Sequence, residues 1–68
     1  MVYYTINTKQ AAARGVTISG TMVYYDNYSI EIVNSSNEYF TVKPYWPKAF
    51  ERDLERYGID KYITTEEV

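Results

Sequence analysis

The chain contains no cysteine and no histidine. Those two absences exclude disulfide bridges, thiol nucleophiles, imidazole bases and nearly every zinc site. Glycine is scarce as well: Gly15, Gly20 and Gly58 are scattered, and none is followed by the Gly-Lys-Ser/Thr run of a phosphate-binding loop. No stretch approaches the roughly 20 apolar residues of a membrane span. The N-terminal MVYYTINTKQ lacks the basic and continuous apolar regions of a signal peptide. The only catalytic candidates left are carboxylates, most of them on the solvated side of a predicted helix. The expectation is a cytosolic protein that is not an enzyme, holds no metal or cofactor and does not enter a membrane.

What is present is a globular composition, with 46% hydrophobic, 18% aromatic and 24% charged residues among 68. A disordered chain would be poorer in aromatics and richer in net charge. One domain over residues 1–68 is expected, and a chain this short buries only about 60% of the surface its unfolded form exposes. Self-association would help so small a core. The net charge of -2 is unevenly spread. Lys9, Arg14, Lys43 and Lys48 outnumber Asp26, Glu31 and Glu38 before residue 51. From residue 51 onward, six carboxylates face Arg52, Arg56 and Lys61. A near-neutral body argues against tight, salt-driven phosphate binding, which needs several unopposed cations.

Hydrophobic periodicity sets the expected elements. VYYTINT alternates Val2, Tyr4 and Ile6 against Tyr3 and Thr5, the pattern of a half-buried strand. KQAAARG follows, as either a short helical turn closed by Gly15 or a long hairpin loop. VTISGTMVYYDNYSIEIV then alternates again, with Val16, Ile18, Met22 and Tyr24 inward and Tyr25 outward. Read this way it is one long strand bent at Gly20, and Tyr28, Ile30 and Ile32 carry on the inward face. Asp26-Asn27, which sheets disfavour, is either a tight turn between strands or a polar corner in a bent ribbon. NSSNE reads as a turn, and YFTVK as a strand with Phe40 and Val42 inward. Pro47 opens an amphipathic helix in which Phe50, Leu54 and Tyr57 share one face, with Lys48-Glu51, Arg52-Glu55 and Asp53-Arg56 available as ion pairs and Gly58 as the stop. Tyr62 and Ile63 suit a last strand, and residues 64–68 read as a frayed acidic tail. The fold class expected is mainly β with one C-terminal helix: a small, strongly bent antiparallel sheet or partial barrel.

GVTISGTMVYYDNYSIEI, Gly15 to Ile32, resembles the first motif of the Sm/LSm family, in particular the bacterial Hfq type. There an alternating strand carries an aspartate six residues after a glycine, here Gly20 and Asp26. The family's tyrosine-lysine-histidine signature falls on Val42, Lys43 and Pro44, so only the lysine is kept. The resemblance spans residues 15–43; the second motif is replaced by PYWPKAF, and the helix stands at the end rather than the start. It implies an SH3-like partial barrel assembling as a homo-oligomeric ring that binds single-stranded RNA. Asp26 would orient the corner, Asn27 would meet a base edge, Tyr28 would stack on a base and Lys43 would meet phosphate.

A second reading is a small protein-interaction module, of the kind phages and plasmids use to inhibit a host protein. Tyr3, Tyr25 and Tyr39 share the outward parity and would make an aromatic partner surface. Trp46, between two prolines, is expected to pack the helix onto the sheet rather than to anchor a partner.

Overall fold

A computed structural model describes residues 1–67. It is mainly β with one long helix toward the C-terminus, and no helix among the described residues is long and apolar enough to cross a membrane. The strands are β1 (Val2–Asn7), β2 (Thr17–Ser19), β3 (Met22–Tyr25), β4 (Tyr28–Ser35), β5 (Tyr39–Val42) and β6 (Ile63–Glu67); the helices are α1 (Thr8–Ala13) and α2 (Pro47–Arg56). All strand pairs are antiparallel, in the order β2-β3-β4-β5-β1-β6, which leaves β2 and β6 as edges.

Of the two possibilities for KQAAARG, the helix forms. The Asn7 side chain accepts from the Gln10 N–H at 2.9 Å and caps α1, Ala11 is buried, and Gly15 ends the turn at φ +100°. β1 then lies between β5 and β6, with Tyr4 opposite Val42 and Ile6 opposite Phe40. These four side chains are buried together, as their alternation predicts.

The long bent strand expected from residue 16 to 32 is instead three strands joined by two tight turns. Gly20-Thr21 closes the first hairpin, with Ser19 opposite Met22, and Asp26-Asn27 closes the second, with Tyr25 opposite Tyr28. Both turns place a positive φ on their first residue, +59° at Gly20 and 50° at Asp26. Glycine takes that conformation freely, and a short polar side chain tolerates it better than most. A two-residue turn also changes which residues face inward, because it pairs Ile18 with Val23. The inward set therefore passes from even to odd numbers at Gly20 and back to even at Asn27. Hence Val23 and Tyr25 are buried and Tyr24 is exposed, the reverse of the expected parity.

β4 belongs to two partners in succession. Tyr28–Glu31 pair with β3, whereas the pairing with β5 begins at Ile32 opposite Val42 and shifts register before Asn34. That irregularity bends the sheet. Phe50 and Leu54 of α2 enter the core beside Tyr4, Tyr25 and Phe40, with ring centroids 5.1 Å apart for Tyr4–Phe50 and 6.0 Å for Tyr25–Phe50. Of the three ion pairs anticipated along this helix, Asp53–Arg56 is the one that forms among the described residues.

Residues 64–67 are not a frayed tail. They continue β6 on β1, with Val2 opposite Glu67 and Ile6 opposite Ile63, because a 3₁₀ turn at Asp60–Tyr62 brings the chain back alongside the first strand. Val68 lies outside the described residues. The reversal depends on Gly58, at φ +75°, where an added Cβ would stand 3.3 Å from the Arg14 guanidinium. Gly58→Ala is expected to lower stability by about 1–2 kcal/mol, the cost of a side chain in left-handed backbone. Urea denaturation reads this directly, and an unchanged midpoint would contradict it.

Candidate functional site

The site is a hollow where the sheet parts. Past Val42 the chain leaves β4 through Lys43, Pro44 and Tyr45 and turns into α2, so that segment and the first half of β4 face one another across a gap. The gap holds about 430 Å³ beside Tyr28, Trp46 and Arg52, and continues into a second hollow of about 280 Å³ beside Glu31, Val33 and Lys43. Ser29, Ile30, Pro44 and Tyr45 line both. Its floor is the edge of the core, where Tyr25 and Phe50 are buried.

Its walls are aromatic and open. Tyr45 is 94% exposed, Trp46 78% and Tyr28 60%. Trp46 thus does not pack the helix onto the sheet, as its position suggested. It stands at the N-cap of α2, where its carbonyl accepts from the Phe50 N–H at 2.9 Å, and the helix seats itself through Phe50 and Leu54 instead. Pro44 and Pro47 restrict the backbone on either side, which holds both rings out without a strand ladder around them.

Behind Tyr28 a polar clasp joins the β3–β4 turn to α2. The Asp26 carboxylate accepts hydrogen bonds from the Arg56 guanidinium and, at 2.5 Å, from the Tyr57 hydroxyl, while Arg56 also reaches Asp53 at 3.3 Å. An exposed ion pair of this kind adds little stability. Its effect is positional, because the clasped turn carries Tyr28, whose ring lies 5.7 Å from that of Tyr25. Tyr25 in turn meets Tyr57 edge-on at 6.2 Å.

The residues singled out from the sequence separate accordingly. Tyr28 and Lys43 lie on the walls of the two joined hollows, and Asn27 is exposed at the hairpin tip beside them. Asp26 is taken up by Arg56 and Tyr57, so its carboxylate serves the clasp. The proposed surface of Tyr3, Tyr25 and Tyr39 does not assemble. Tyr25 is buried by the change of parity, and Tyr3 and Tyr39 sit on either side of the Thr5–Thr41 pair, whose hydroxyls bond at 2.9 Å. Tyr45, Trp46 and Arg52 were missed as site residues. The available signal was two aromatics in succession between prolines, a segment that can neither join a ladder nor bury both rings.

Three phenols ionise late. Burial, and then the negative charge of Asp53, push Tyr25 up to about 12. Burial, and then the hydrogen bond to Glu51, raise Tyr4 further still. The hydrogen bond to Asp26 raises Tyr57. An unfolded tyrosine ionises near pH 10. Between that value and the folded one the unfolded chain releases protons that the native state keeps, so stability is whole below about pH 10 and is lost as pH rises through 12. The urea midpoint is expected to be flat from about pH 7 to 9 and to fall steeply from about pH 10 to 12. A midpoint that holds level to pH 12 would refute this.

Compared with known proteins, the chain matches no family model, no curated sequence and no solved structure.

Proposed function

We propose that this protein is a non-enzymatic cytosolic binding module that docks a protein partner through the hollow walled by Tyr28, Tyr45 and Trp46. One observation carries the reading: two neighbouring large aromatics, Tyr45 and Trp46, are held almost wholly in solvent beside Arg52. Tryptophan, tyrosine and arginine dominate the residues whose truncation weakens protein interfaces most. Exposing such rings wastes the burial that a small domain needs, so their gain must come from what covers them. The charges agree, since Lys43 is matched by Glu31 and Arg52 by Asp53 along the walls. A site with no net charge favours a polypeptide over a polyphosphate chain.

The test is affinity capture on the immobilised protein from a lysate of its source, before and after nuclease treatment. One stoichiometric protein that survives nuclease is expected. Recovery only of material that nuclease removes would overturn the proposal.

A second reading, single-stranded RNA, is favoured by the placement of Tyr28 and Lys43 on the same joined hollows. Bases stacked on Tyr28, Tyr45 and Trp46 would contribute about 1–3 kcal/mol each. With Lys43 and Arg52 as the only cations among the described residues that line the two hollows, log K would fall with log salt at a slope of about -1.4. An Sm-like ring would further require β2 of one copy to pair with β6 of the next. Anisotropy of labelled oligo(U) across a salt series, together with sedimentation, tests both parts; a monomer that leaves oligo(U) free in low salt removes this reading.

A further inference from the structure

The hollow is bounded on one side by a strand edge as well as by rings. The Ile32 N–H donates to the Thr21 carbonyl at 2.7 Å, which fixes the alternation along β4. Even-numbered residues turn their backbone groups toward β3, so Ser29, opposite Tyr24, turns its N–H and C=O the other way, into the gap. Across it stands Pro44, which has no N–H to give, and no hydrogen bond among the described residues joins Ser29 to the Lys43–Trp46 segment. An unpaired strand edge beside exposed rings is a template for another extended chain.

Building on the protein-docking reading above, we infer that the partner presents an extended segment without net charge, which adds to the β4 edge at Ser29 as a short strand. Its main chain bonds to the Ser29 N–H and C=O. Alternate side chains of the segment point down between Tyr28, Tyr45 and Trp46, and those between them face solvent, as strand geometry dictates. Opposite charges at each end of the gap, Glu31 with Lys43 and Arg52 with Asp53, leave no surplus for a strongly acidic or basic segment to neutralise. A helix would offer the edge no main-chain partner, because its own N–H and C=O groups are already paired.

The probe is a displayed library of random dodecapeptides selected on the full chain, with oligo(U) as a competing ligand. Selected peptides are expected to bind, to slow amide hydrogen exchange at Ser29, and to lose about tenfold or more in affinity when N-methylated at every second position but little in between. Failure to select any peptide, N-methylation tolerated throughout, an unchanged Ser29 amide, or displacement of the peptide by oligo(U) would each overturn strand addition. If a captured partner survives nuclease and requires Trp46 while N-methylation has no periodic effect, protein docking stands and strand addition alone is lost.

Discussion

Phe50→Ala is expected to leave most of the protein unfolded at 25 °C. Phe50 is buried, touches the rings of both Tyr4 and Tyr25, and with Leu54 is what fastens α2 to the sheet. Truncating a buried phenylalanine costs about 3–5 kcal/mol, the lost transfer energy plus the cavity left behind. At about 0.05–0.15 kcal/mol per residue, a chain of this length has only about 3–10 kcal/mol of stability in total. A single core in a chain this short rarely supplies more than about 3–5 kcal/mol, the low end of that range, so the loss rivals the whole. Circular dichroism and urea denaturation would read it, with Phe50→Leu as the control that keeps most of the apolar volume and should remain folded. A Phe50→Ala protein with an undiminished midpoint would mean that α2 is not seated on the core as described.

The same core shows what was legible beforehand. Tyr4, Ile6, Phe40, Val42, Phe50 and Leu54 follow from alternation in strands and from i, i+4 spacing in the helix, and all six are buried. The mainly β class and the helix at Pro47 follow with them. Ile59 was not anticipated, because its burial depends on the tertiary reversal after Gly58 rather than on any local period. Parity failed at β3 for a specific reason. A two-residue turn at Gly20 and a bend at Gly20 look alike in sequence, yet they send Tyr24 and Tyr25 to opposite faces. The partner surface drawn through Tyr25 inherited that error.

The site was legible in part for a related reason. Tyr28 and Lys43 lie fifteen positions apart; alternation puts Tyr28 on the inward face, where it is nevertheless 60% exposed, and Lys43 stands just past the end of β5 rather than within it. What joins them is the parting of β5 from β4 beyond Val42, a consequence of Pro44 that no single-strand pattern expresses. The clasp was invisible for the same cause. Asp26 and Arg56 stand thirty residues apart, and only the packing of α2 against the second hairpin makes them neighbours.

Replacing both Tyr45 and Trp46 with alanine is expected to leave the fold intact and to abolish docking. Neither ring is part of the buried core, so the urea midpoint should move by no more than the equivalent of about 0.5 kcal/mol. Partner affinity should instead fall by about 30-fold or more, since a central aromatic anchor contributes about 2 kcal/mol or more at an interface. Tyr39→Ala supplies the comparison, because Tyr39 is similarly aromatic and partly exposed but lies away from the hollow, on the far side of Thr5–Thr41. It should leave affinity unchanged. Calorimetric titration of the captured partner against the three proteins separates the outcomes. Affinity retained after loss of both rings would show that docking occurs elsewhere, whereas a collapse of the urea midpoint would show that the rings are buried by the chain itself and stand free for no partner.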